Sequence, residues 1–321
     1  MNQATKLKKA DLIIGLPRAL LYFKYHQLWE VFFKELGFKI LVSPETNRQI
    51  LKDGVNLAVD ESCLPVKIFL GHVNYLKDKA DYIFLPRIVS LNKKEELCTK
   101  FMGLYDNVNN TFDGKINILE YNIDFHFFQK NQARTFFEVG MKLVSNPLKV
   151  WLAYRKALKI YDNEHLKLIQ EQEQRLKQKN NKLKILIVAH PYVIHDGLIG
   201  SPISKFLLKE NVEIFYADLV ESLPARKKAE EISSDMYWTY NKEFLGAIAQ
   251  YAKKINGIIY IAAFPCGPDA LSIELYQKKF PQIPSMNLTL DELQSEAGLM
   301  TRLESFVDIL NLRKKKNAKT K

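Results

Sequence analysis

Gly257-Ile258-Ile259-Tyr260-Ile261-Ala262-Ala263-Phe264-Pro265-Cys266-Gly267-Pro268-Asp269 is the stretch on which the reading of this chain turns. Residues 257–262 form a continuous apolar run, which predicts a strand covered on both faces and therefore a parallel sheet. The run ends in a Pro-Cys-Gly-Pro turn, and residues 268–278 predict a helix, since proline is tolerated in a first helical turn. The same alternation extends in both directions. Upstream lie a strand over 184–189 ending at His190-Pro191-Tyr192, a helix over 203–209, a strand over 212–215 and a long helix over 236–254. Downstream, 283–288 predicts a last strand and Asp291 the cap of a final helix to about residue 310.

The N-terminal half repeats this scheme. Residues 12–15 predict a short buried strand, and Leu16-Pro17-Arg18 leads into a helix over 19–36 that Gly37 ends. Tyr22, Phe23, Tyr25, Trp29, Phe32 and Phe33 recur at helical spacing and read as core. A strand over 38–42, a helix over 46–57, the Cys63 loop and a helix from Pro65 to about residue 77 follow. Residues 82–85 predict a strand closed by Pro86-Arg87. The stretch 131–182 carries helical periodicity and a charged, Gln-rich run toward its end, so it predicts a helical connection. The organisation expected is α/β: a basic tail over 1–10, a Rossmann-like doubly wound domain over 11–130, the connection over 131–182, a second such domain over 183–312, and a basic tail over 313–321.

The net charge of +11 is concentrated at the ends. Lys6, Lys8 and Lys9, with Arg313, Lys314, Lys315, Lys316, Lys319 and Lys321, have no acid among them and leave only +2 for the body. An excess held in tails reads as solvated extensions and argues against a nucleic-acid-binding face. No apolar run approaches the length of about 20 residues needed to span a bilayer. No small-residue cleavage pattern follows the N-terminal lysines, so the expectation is a cytoplasmic protein without signal peptide or membrane span.

Only three cysteines are present, Cys63, Cys98 and Cys266, each flanked by proline, glycine or charge. They are a poor disulfide framework and a better metal or redox set. In open α/β sheets ligands gather beyond the carboxyl ends of strands, where these cysteines fall; the candidate site is the cleft between the domains. Arg18 and Arg87 read equally as anion ligands and as loop-capping cations. Lys67 would neutralise a bound anionic group or lie solvated. His190 reads first as a satisfied loop histidine and second as a proton donor, and Asp269 as a helix N-terminal acid before a catalytic base.

These motifs carry a resemblance. The segments Ile14-Gly15-Leu16-Pro17-Arg18-Ala19-Leu20-Leu21-Tyr22 and Asp60-Glu61-Ser62-Cys63-Leu64-Pro65-Val66-Lys67 resemble the activase-related branch of the benzoyl-CoA reductase and 2-hydroxyacyl-CoA dehydratase superfamily. So do Tyr82-Ile83-Phe84-Leu85-Pro86-Arg87, Cys98-Thr99-Lys100-Phe101-Met102-Gly103-Leu104, His190-Pro191-Tyr192, Phe264-Pro265-Cys266-Gly267-Pro268-Asp269 and Thr301-Arg302-Leu303-Glu304. The resemblance implies two Rossmann-like domains and a 4Fe–4S cluster on Cys63, Cys98 and Cys266, with a fourth ligand that is not cysteine. It implies a separate ATP-dependent activase as donor of low-potential electrons, in anaerobic metabolism, and an acyl-CoA thioester as the molecule reduced or dehydrated. Thr99 stands where the family more often has proline, Pro265 where it has glycine, and Asp291-Glu292-Leu293 where a histidine often follows the acid pair. No Gly-x-x-x-x-Gly-Lys-Ser/Thr run is present, which argues against a P-loop ATPase. A non-catalytic iron–sulfur carrier or assembly partner and a structural zinc or thiol protein remain the other readings, and homo- and hetero-oligomers stay open.

Overall fold

The computed structural model describes residues 12–126, 128–293 and 295–319. The chain divides into two compact units after Glu164. Each contains a four-stranded, all-parallel sheet of one topology, order β2-β1-β3-β4 in the first and β6-β5-β7-β8 in the second. The expected pair of doubly wound α/β domains is therefore present.

In the first unit β1 (Ile13–Leu16) is followed by α1 (Tyr22–Leu36), β2 (Lys39–Val42), α2 (Arg48–Leu57) and α3 (Leu64–Leu76). Gly37 ends α1 as expected: at φ 92° its N–H bonds Lys34 O at 2.9 Å. Trp29, Phe32 and Phe33 of α1 are buried and meet Phe84, Tyr121 and Phe136 edge-on, with Trp29–Phe84 at 5.0 Å and Phe32–Phe136 at 4.7 Å between ring centroids. This aromatic layer is the core of the unit.

β3 (Tyr82–Ser90) does not stop at Pro86-Arg87 as expected but runs through it. The reason lies in the ladder. Ile83 donates to Asn117 O on the β4 side, so by alternation position 86 faces the β1 side. There β1 pairs only as far as Gly15 with Ile83, and the N–H that proline lacks has no partner to lose. The neighbour on the other side, β4 (Ile118–Asp124), was not among the expected strands, although its burial alternates along Ile118–Asn122 as a half-covered strand requires. Between β3 and β4 lie α4 (Thr99–Met102) and α5 (Leu104–Thr111).

The stretch 131–182 holds two helices, α6 (Gln132–Leu143) and α7 (Pro147–Lys177). α7 begins where Asn146 Oδ1 accepts the Lys149 N–H at 3.0 Å, and proline holds the first position. In the first unit Lys149 Nζ donates to Leu36 O at 2.8 Å and Tyr161 lies 5.8 Å from Tyr25. In the second unit Gln172, buried on the same helix, bonds the Tyr216 N–H and C=O and Leu219 O.

The second unit runs β5 (Lys184–Val188), α8 (Pro191–Ile194), α9 (Ser201–Lys209), β6 (Glu213–Tyr216), α10 (Ser222–Glu230), α11 (Thr239–Tyr251), β7 (Gly257–Ala263), α12 (Gly267–Lys279), β8 (Ser285–Leu290) and α13 (Glu296–Lys319). Every residue of β5 and β7 is buried, the two-sided covering that the apolar run predicts. Two expectations change. Asp291 accepts the Leu293 N–H in a turn and does not cap the helix, and α13 continues to Lys319 instead of ending near residue 310. Residues 313–319 therefore prolong a helix, and Lys314 Nζ donates to Asn181 O at 2.6 Å and Lys182 O at 3.1 Å. The basic stretch 1–10 and residues 320–321 lie outside the described residues. Among the described residues no helix is long and apolar enough to cross a membrane.

Candidate functional site

With strand order 2-1-3-4, each sheet reverses its direction of winding between its first and third strands, and ligands of open α/β sheets bind beyond the carboxyl ends at that reversal. In the second unit the reversal lies between β5 and β7. Directly after β5 comes His190, the N-cap of α8, and shortly after β7 comes Cys266, the N-cap of α12. The structure brings His190 and Asp269 together: His190 Nε2 lies 3.1 Å from Asp269 Oδ1, and both side chains are buried. Asn241 of α11 donates its Nδ2–H to the same oxygen at 2.9 Å, and Asp269 also has a side-chain hydrogen bond with Cys266. Tyr276 O–H in turn donates to Asn241 O at 2.6 Å.

The electrostatics follow from this arrangement. Burial works against the charge on Asp269, but the His190 ring and the bonds from His190, Asn241 and Cys266 outweigh it and hold the carboxyl below the usual carboxylate range. His190 is packed among aromatic rings, stacked on Tyr192 at 4.8 Å and edged by Tyr240 and Phe244. Its Nδ1 is buried without a hydrogen-bond partner among the described residues.

In the first unit Arg87 is committed to structure, its Nε donating to Met102 O and its Nη1 to Asn122 Oδ1, each at 2.7 Å. It ties the end of α4 to β4. Arg18 forms an exposed pair with Glu45 at 3.0 Å while its backbone N–H donates to Ser43 Oγ. Lys67 is buried, which removes the solvated alternative. Cys63 and Cys98 each immediately precede a helix, α3 and α4, with extended backbone at φ −67°, ψ 150° and φ −58°, ψ 143°. Cys266 does the same before α12. None of the three thiols accepts a capping bond from its own helix, none is in a disulfide, and all are part-exposed. The donor chemistry thus suits a soft metal or iron–sulfur cluster, thiol by thiol. Among the described residues, however, no three His, Cys, Asp or Glu side chains are gathered as a metal-binding group.

Two polar features had no signal in the sequence. Asn241 sits in a helix whose partner Asp269 is 28 positions away. His72 of α3 is fully buried, with Nε2 3.0 Å from Thr46 Oγ1. Burial, helped by the charge of Arg18, lowers its pKa to about 3, so the ring is neutral.

Comparison with known proteins gives three results. No curated protein matches the chain. A crystal structure described as a putative sugar binding protein from Salmonella typhimurium LT2 aligns over 94% of this chain and 88% of its own, at 10% identity and a TM-score of 0.21, too low to carry an argument. The family model described as CoA enzyme activase uncharacterised domain (DUF2229) matches residues 13–220. That match takes in the whole first sheet and the start of the second, more than half of the chain, and the protein therefore belongs to this family.

Proposed function

We propose that the protein is an iron–sulfur redox protein of the 2-hydroxyacyl-CoA dehydratase type, which takes low-potential electrons from a separate ATP-dependent activase. Cys63, Cys98 and Cys266 would hold a 4Fe–4S cluster. The observation that carries the reading is the equivalence of the three thiols: each of the chain's cysteines occupies the residue before a helix, uncapped and part-exposed. Chance placement of structural cysteines favours element interiors, where they pack as small hydrophobes. The family name, which refers to a CoA enzyme activase, supports the same system. When bound, such a cluster supplies one-electron chemistry at a potential set by its charge and surroundings. The chain's own contribution is to present three part-exposed thiols at helix starts, and in the second unit to pack Cys266 against a buried carboxylate.

A second reading is a non-catalytic iron–sulfur carrier or assembly partner, and a third is a structural zinc or thiol protein in which the thiols act separately. Anaerobic purification followed by iron, sulfide and zinc analysis with electron paramagnetic resonance separates the zinc or thiol reading from the two cluster readings. About four irons and four sulfides per chain, lost when any one cysteine is replaced by serine, is the expected result for the cluster. Full metal content in all three serine variants would overturn it. Turnover of acyl-CoA thioesters with an activase and ATP then distinguishes an enzyme subunit from a carrier.

A further inference from the structure

We propose that Asp269 is a positioning residue for Cys266, and that His190 and Asn241 form the support that holds Asp269 in place. Cys266 is the N-cap of α12 and Asp269 lies in the first turn, so both side chains stand at the same helix end. A carboxylate at this position ordinarily turns back to backbone N–H groups. Here the bonds that the structure gives it come from side chains: His190 Nε2–H, Asn241 Nδ2–H and the Cys266 thiol. Two of these donors lie on other elements, the end of β5 and α11, and Asn241 is itself fixed through its carbonyl by Tyr276.

Burial makes this arrangement informative. Asp269 is 6% and His190 6% exposed, and a carboxylate so placed is costly unless every lone pair is used. A helix that needed only an N-terminal acid would leave it in water, where the dipole interaction is available without that cost. The network instead anchors the turn carrying Cys266 at the reversal of the second sheet. Were Cys266 to hold a metal, Asp269 would stand beside its sulfur as a fixed negative charge, held there by His190 and Asn241. A negative charge at that place stabilises the oxidised form of whatever the sulfur binds, and so lowers its potential. This last step rests on the cluster reading; the positioning role does not.

The two parts are tested separately. In the metal-free full chain, the infrared S–H stretch reports the thiol bond directly, and Cys266→Ala assigns the band. The band of Cys266 is expected at lower frequency than that of an unbonded thiol, moving part of the way up in Asp269→Asn and fully in Asp269→Ala. A Cys266 band already at the unbonded position in the unaltered protein overturns the proposal, even if neither Asp269 variant folds. So does a band that stays put in folded variants. In the iron-loaded protein, Asp269→Asn is expected to retain its iron while its reduction potential shifts to a more positive value. A merely structural role would lose iron without that shift. If the unaltered protein takes up no iron, the cluster reading fails, and the S–H band still decides the role of Asp269.

Discussion

The two units share one strand order and use its reversal point in opposite ways. In the first, Leu16, Pro17, Trp29, Phe69, Phe84 and Pro86 converge where β1 and β3 part, and the space is apolar. In the second, the equivalent place between β5 and β7 holds a buried carboxylate with imidazole, amide and thiol partners. The polar residues of the first unit are displaced toward the β2 side, as the Arg18–Glu45 pair and the Thr46–His72 contact. Topology therefore fixes where a site can form, and a few side chains at two strand ends decide whether that place becomes core or chemistry.

The comparison is tested most severely through packing, because both units also share a glycine-dependent helix crossing. A Cβ on Gly54 would lie 1.9 Å from Lys67 O and one on Gly71 2.0 Å from Ile50 O, where α2 meets α3. A Cβ on Gly246 would lie 2.0 Å from Ala225 O, where α11 meets α10. Since the obstacle is backbone, Gly71→Ala and Gly246→Ala should each cost about 3 kcal/mol. Urea unfolding followed by single-tryptophan variants reads the units apart, with Trp29 reporting the first and Trp238 the second. A substitution in one unit that moves both transitions equally would show that they unfold as one.

Arginines sharpen the contrast at an intermediate size. Replacing Arg87 by methionine removes two bonds of 2.7 Å and should cost about 2 kcal/mol. Arg18→Met loses only an exposed ion pair, for about 0.5 kcal/mol or less. Equal losses in chemical denaturation would mean that Arg87 is not the tie described.

The first unit also carries a pH dependence through His72. Its folded-state pKa of about 3 lies below the ordinary 6.5, so the unfolded chain binds more protons in between. Stability from this group is fully present above pH 6.5 and is lost as pH falls toward 3. About one proton per molecule should be taken up on unfolding in that window, visible as a falling urea midpoint. His72→Gln should flatten the curve for the first unit, and an unchanged slope would argue against a neutral buried ring.

The smallest effect expected is at the C-terminal end. Lys314→Ala removes two exposed bonds to Asn181 and Lys182 carbonyls and should lower stability by about 0.5 kcal/mol. A loss several times larger, by thermal or urea unfolding, would make the end of α13 part of the second unit's core.

Much of the architecture was legible from residues alone, and for a local reason. The unbroken apolar runs of β5 and β7, the glycine after α1 and the prolines after Cys63 and Cys266 act through near neighbours, within the span of one element. β4 escaped because a half-covered strand carries a weaker pattern, and β3 was cut short because proline reads as a stop wherever its partner strand is unknown. The sequence by itself thus determined two doubly wound sheets and two cysteines, Cys63 and Cys266, at helix starts, and the structure added Cys98. Only the tertiary structure decided that His190, Asn241, Asp269 and Cys266 belong together, that Arg87 is a tie and that His72 is buried. Those facts depend on which strands lie side by side and which groups leave water, and hydrogen bonds between residues 79 or 28 positions apart leave no periodic trace in the chain.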